Sequence, residues 1–83
     1  MLKEMETRTL DKSKDVVDYI AFIINSFSER YKLTVTQSFN YLYQHGAIEF
    51  LNKHYEVEHC ENPHITLREM QDYCLRNGGE DLS

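Results

Sequence analysis

Residues 15–31 read Asp15-Val16-Val17-Asp18-Tyr19-Ile20-Ala21-Phe22-Ile23-Ile24-Asn25-Ser26-Phe27-Ser28-Glu29-Arg30-Tyr31, and this stretch decides the fold. Val16, Ile20, Ile23, Ile24, Phe27 and Tyr31 follow one another at spacings of four, three, one, three and four. On a helix of 3.6 residues per turn those spacings place all six side chains on one face. With Val17 and Tyr19 at its margins the apolar arc covers roughly 160° of the helix, wide enough to meet two or three neighbours at once. The stretch predicts a long central helix that shorter elements close over. Ser13 is its expected N-cap, Asp15 and Asp18 complement the positive end of the helix dipole, and Arg30 and Lys32 suit the negative end.

Working outward, Thr34-Val35-Thr36-Gln37 fits a capping box that opens a second helix of about Val35 to His45, ended by Gly46. Val35, Phe39, Leu42 and Tyr43 are its expected buried face. A third helix is expected from about Ala47 to Glu56, with Ala47, Ile48, Phe50, Leu51 and Tyr55 inward and His54 at the margin. Asn62-Pro63 marks a turn, because proline fixes its own φ and pushes the preceding residue out of the helical region. Thr66-Leu67-Arg68-Glu69 reads as a second capping box, followed by Leu67, Met70, Tyr73 and Cys74 at helical spacing and a stop at Gly78-Gly79. The fold class is therefore all-α: a small four-helix domain with a long central first helix and three shorter ones. The domain covers residues 13–79. Residues 1–12, where Thr7-Arg8-Thr9 is poor helix material, form an N-terminal tail that docks or stays flexible, and residues 80–83 form a C-terminal tail that frays.

The 83 residues allow one domain, which buries about 60–65% of the surface its unfolded chain exposes. Its 41% hydrophobic and 28% charged content is ordinary for a globular chain, which should fold without a cofactor. The net charge of −5 is unevenly spread. Residues 1–33 are balanced, with six basic and six acidic side chains, whereas from Thr34 onward three basic residues face eight acidic ones. That second half repels phosphate backbones, so nucleic acid is disfavoured and a protein partner or self-association is expected. The longest apolar run, Tyr19–Ile24, is far short of the ~20 residues that cross a bilayer, so no membrane role is expected. Neither a secretory apolar segment at the N-terminus nor a CxxC pair is present, and the expectation is a cytoplasmic protein with free thiols.

Candidate chemistry is sparse. His59, Cys60, His64 and Cys74 could in principle converge on zinc, but structural sites usually pair their ligands as C-x₂₋₄-C or H-x₃₋₅-H, and here only His59 and His64 keep such a spacing, while Cys60-x₃-His64 and the lone later Cys74 do not. Cys74 lies in the middle of a helical stripe, where a small buried hydrophobe is the simpler reading. No nucleophile sits on a strained turn beside a base, and no glycine-rich phosphate loop occurs, so an enzyme is not expected. The segment Gln37–His45, Gly46, Ala47–Glu56 resembles a helix-turn-helix of a DNA-associated regulator. Its outward residues, Glu49, Asn52, Lys53 and Glu56, carry net negative charge where phosphates would press. The most specific oddity is a pair of aromatics expected on the outward sides of their helices, Phe22 on the first and Tyr41 on the second. Either Met5 and Leu10 of the tail cover Phe22, or an isolated exposed aromatic needs no explanation, or the two aromatics form an interaction surface, since aromatic side chains anchor interfaces.

The segment Asp18–Asp72 resembles a small bacterial domain of unknown function, family 3791. The resemblance is carried by the hydrophobic helix Val17-Asp18-Tyr19-Ile20-Ala21-Phe22-Ile23-Ile24, the step Tyr31-Lys32-Leu33-Thr34, the aromatic-leucine helix Phe39 to Gly46, and the Phe-Leu-x-x-x-Tyr-x-Val run Phe50 to Val57. It covers about two thirds of the chain. Members of that family often stand beside ADP-ribosyltransferase-like or toxin-like genes, so the resemblance implies an adaptor or antitoxin-like partner of a neighbouring gene product, and no active site. His59-Cys60 departs from the family pattern in the linker. Taken together, the expected function is that of a helical protein-interaction module, with a helix-turn-helix regulator and a small zinc-binding domain as the alternatives.

Overall fold

The structure, a computed structural model, describes the backbone of residues 2–82 and the side chains of residues 13–82. Five helices follow one another: α1 (Leu2–Tyr31), α2 (Val35–Gln44), α3 (Ala47–Lys53), α4 (Tyr55–Glu58) and α5 (Pro63–Arg76). No strand occurs among the described residues. The molecule measures 49 × 23 × 22 Å, and the long axis matches α1, whose 30 residues span about 45 Å at 1.5 Å per residue.

The α1 stripe lies inward from Ile20 to Tyr31, whereas Val16 stands outside the core cluster and Val17, expected at the margin, is 63% exposed. Ile23 and Phe27 are fully enclosed, Ile24 nearly so, and Ile20 and Tyr31 pack half-buried at the edges. They meet Leu42 from α2, Ala47 and Leu51 from α3, and Leu67, Met70 and Cys74 from α5 in a single cluster. The α5 stripe expected from its spacing is the one observed, with Tyr73 half-buried against Phe50 at 4.9 Å between ring centroids.

Helix boundaries differ from expectation in three places. α1 begins at Leu2, so Ser13 lies inside the helix and not at its cap. Extending an existing helix adds one hydrogen bond per residue fixed, and the leucine, glutamate, methionine and lysine of this segment are good helix formers, so continuation is cheap. The suggested cover of Phe22 by Met5 and Leu10 falls on side chains outside the described residues. The expected third helix is broken at His54, whose φ of −108° and ψ of 24° end α3 and start the single turn α4. The break turns Tyr55 back onto Tyr19, edge to face at 5.5 Å. Finally, α5 starts at Pro63, because Asn62 is the cap, its side chain accepting from the His64 N–H at 2.9 Å. Proline suits the first helical position, where its missing N–H costs nothing. Thr66 consequently lies fully buried within the helix instead of capping it.

The turn between α1 and α2 is tight and partly strained. Leu33 N–H donates to the Ser28 carbonyl at 2.9 Å, while Lys32 holds φ 57°. This is a Schellman closure with a lysine in the left-handed position that glycine usually fills. Thr34 then caps α2 as its sequence suggests: its Oγ1 accepts from Gln37 N–H at 3.0 Å and Gln37 Oε1 accepts from Thr34 N–H at 2.9 Å. At the far end Gly46, with φ 81°, lets the chain reverse directly into α3.

The orientation of α2 about its own axis is the main departure. Ser38 and Leu42 are buried and Tyr41 and His45 are half-buried, whereas Val35, Phe39 and Tyr43 are 49, 40 and 65% exposed. Tyr41, expected outward, turns in: its ring lies 6.0 Å from Phe27, its hydroxyl donates to the Glu80 carbonyl at 2.6 Å, and it accepts from Gln71 Nε2 at 2.8 Å. These bonds also tie down the C-terminal segment, where His45 Nδ1 sits 3.2 Å from the Asn77 carbonyl and Leu82 packs on the core. Glu80 and Leu82 thus contribute contacts where fraying was expected; Ser83 lies outside the described residues. Gly79 is required by closeness alone, because a Cβ there would fall 2.8 Å from the Cys74 carbonyl oxygen.

Candidate interaction surface

Two of the openings left between the packed helices carry large exposed aromatics. The first is the outward face of α2. Val35, Phe39 and Tyr43 recur every four residues, so they form a continuous strip along the helix, and the Phe39 and Tyr43 rings stack at 5.6 Å and 12° into a flat plate. Beyond Tyr43 the strip runs into a groove of ≈ 520 Å³ that Ile20, Ile48 and Glu49 also line. The second opening lies between α1 and α5. Phe22, 49% exposed, shares a groove of ≈ 510 Å³ with Ser26, Arg30, Pro63, His64 and Leu67. Of the two aromatics read from the sequence as surface anchors, Phe22 is therefore placed outward and Tyr41 is not.

Sequence reasoning missed Val35, Phe39 and Tyr43 as surface residues because it assigned them to the core. A usable signal was present. The span Val35–Gln44 contains no Asp, Glu, Lys, Arg or His in a chain that is 28% charged. A helix with one face committed to water normally carries charge there; α2 carries none on either face.

The zinc candidates do not converge. Cys74 is fully enclosed in the core, and burial pushes its thiol up to about 11. Cys60 is exposed and sits 3.8 Å from His59 Nε2, while His59 Nδ1 is 2.7 Å from the Tyr55 carbonyl. His64 lies with Phe22 and Pro63 in the α1–α5 groove. Among the described residues no group of three or more His, Cys, Asp or Glu side chains could hold a metal ion.

One buried polar cluster joins α1, α4 and α5. Glu58 is buried, with Oε1 lacking a hydrogen-bond partner. Burial, then the adjoining Glu69 carboxyl, then Glu61, raise its acid to about 7. Beside it the Tyr19 hydroxyl, also raised by burial, lies near the Thr66 side chain but falls short of a well-formed hydrogen bond. Tyr55 and His59 stack at 4.4 Å and both meet Tyr19 edge-on, closing the cluster from the α4 side. The surroundings favour the protonated Glu58 acid up to about 7. The helix-turn-helix segment exposes Glu49, Asn52 and Lys53 on an α3 of seven residues, and so presents no basic face.

Fold and surface together define a small all-α module with an enclosed core and open apolar faces on α2 and between α1 and α5. The chain belongs to the family of proteins of unknown function designated DUF3791, whose model matches residues 12–77. Compared with curated proteins and with solved structures, it matches none. Among the described residues no helix is long and apolar enough to cross a membrane.

Proposed function

We propose that the protein is a cytoplasmic protein-interaction module of bacterial type, without catalytic activity, that works by presenting its outward α2 face. The observation that carries this reading is the Val35, Phe39, Tyr43 strip. Large exposed side chains scattered singly need no explanation, but three in register on one helix, two of them stacked, form a contiguous apolar patch of the kind that marks association sites. The inner face supports it. α2 turns Ser38, whose hydroxyl is buried without a partner, and Tyr41 toward the core, and leaves much of its apolar side outside.

The finer reading, an adaptor or antitoxin-like partner for the product of a neighbouring gene, rests on what the family resemblance implies. The test is co-purification from the native host at endogenous level, comparing wild type with Phe39→Ser and Phe22→Ser. The expected result is that Phe39→Ser loses a specific co-purifying protein while its helical circular dichroism is unchanged. Identical co-purification by all three chains would overturn α2 as the docking face for a neighbouring gene's product.

A further inference from the structure

We infer that the occupant of the α2 face is a second copy of this chain, bound about a two-fold axis with the two α2 helices antiparallel. The inference rests on the interaction-module reading and names the partner at the same surface. Three observations point to it.

Charge comes first. Two chains each carrying −5 repel over most of their surfaces. The span Val35–Gln44 is free of acidic and basic side chains, so two copies can meet there without apposing like charges. Interface cores are depleted of charge and enriched in aromatics in the same way. A strongly basic partner would instead be drawn to the acidic side chains concentrated elsewhere in the second half of the chain.

The ends of the strip come second. Lys32, exposed, precedes its Val35 end, whereas Glu49 lines the groove at its Tyr43 end. A two-fold axis through the middle of the strip lays the Val35 end of one copy against the Tyr43 end of the other. The same operation brings the end of each strip that Lys32 precedes toward the other copy's Glu49, so opposite charges approach twice in one symmetric interface. A parallel arrangement would oppose lysine to lysine and glutamate to glutamate.

Shape comes third. The stacked Phe39 and Tyr43 rings make a flat plate, and the groove beside Tyr43, walled by Ile20 and Ile48, is an opening into which apolar side chains of the other copy fit. Three side chains alone offer far less than the roughly 800 Å² per partner of a standard interface, so the flanks from α1 and α3 must take part and the dimer is a weak one.

The experiment is sedimentation velocity of the full chain over a concentration series. Wild type is expected to pass from monomer to dimer mass as concentration rises. Tyr43→Lys should remain monomeric throughout with unchanged circular dichroism, and Phe22→Ser should dimerise like wild type. Lys32→Glu should weaken the dimer by roughly tenfold or more at low salt, and the double variant Lys32→Glu with Glu49→Lys should restore it. A wild type that stays monomeric at every concentration would overturn self-association while leaving the interaction reading to the co-purification test. A dimer unaffected by Tyr43→Lys, or one that the charge exchange fails to restore, would overturn the site or the antiparallel geometry respectively.

Discussion

The inner face of α1 and the outer face of α2 are similarly apolar and have opposite fates. Ile23 and Phe27 are completely enclosed, whereas Phe39 and Tyr43, two residues of comparable bulk, stand 40 and 65% exposed. The difference is one of neighbours and not of composition. α1 is long enough to be met by α2, α3 and α5 together, so its stripe finds partners from Ile20 to Tyr31. α2 is fixed between the tight α1–α2 turn and Gly46, and α5 with the C-terminal segment engages its Tyr41 side. What a helix buries within one chain is thus set by which side its neighbours reach, and an apolar face left over is available to another molecule.

The largest expected effect contrasts the two faces directly. Phe27→Ala should destabilise the domain by about 3–5 kcal/mol, through lost transfer energy and a cavity that the small core cannot close. Phe39→Ser should change monomer stability by no more than about 0.5 kcal/mol, as substitutions on an exposed face do. Urea denaturation at low protein concentration checks both, and equal losses at the two positions would erase the distinction.

Next comes the buried acid of α4. Glu58 titrates near 7 in the folded chain and at an ordinary carboxylate value near 4.5 when unfolded. Between those values the folded state holds a proton that the unfolded state has released. The stability Glu58 allows is therefore fully present below about 4.5 and is lost as pH rises through about 7. The loss is at most about 3 kcal/mol at 1.36 kcal/mol per pKa unit. Glu69, Glu61 and Tyr19 face the group, Glu69 with the largest effect among them. Glu58→Gln should flatten this part of the pH–stability curve and raise stability at pH 8; an unchanged slope would show that Glu58 is ionised and solvated in the fold.

Tyr41→Phe is expected to cost about 1–2 kcal/mol, since it removes the donor to the Glu80 carbonyl and leaves Gln71 Nε2 without its acceptor. Faster amide exchange in residues 77–82 should accompany it if that hydroxyl ties the C-terminal segment to α2. The smallest effect is a gain. Lys32→Gly relieves a left-handed lysine at the end of α1 and should stabilise by about 0.5–1 kcal/mol, measured as a rise in the denaturation midpoint.

The helical class, the α1 stripe, the Thr34 capping box and the Leu67, Met70, Cys74 face are all legible in the sequence, because period and capping chemistry are local. The phase of α2 is not. Val35, Phe39, Leu42 and Tyr43 give the stronger apolar arc, and only the tertiary bonds of Tyr41 to Gln71 and Glu80, residues 30 and 39 positions away, show which side faces in. The start of α5 was open to reading, since Asn62-Pro63 is a cap and first position as readily as a turn; Thr66 diverted it by offering a second capping pattern a few residues later. Of the surface, Phe22 follows from its position opposite the stripe, whereas the Phe39 and Tyr43 plate becomes visible only when the α2 orientation is known.

That orientation can be measured at two adjacent residues. In a Cys60→Ser background, with the remaining Cys74 enclosed, Ser38→Cys and Phe39→Cys place a thiol on either side of α2. At dilute, monomeric concentration the thiol at position 39 should react with an aqueous thiol reagent as fast as an unfolded chain does, and the thiol at position 38 should react only as the domain opens. Protection at 39 together with free reaction at 38 would reverse α2 and contradict the account at its centre.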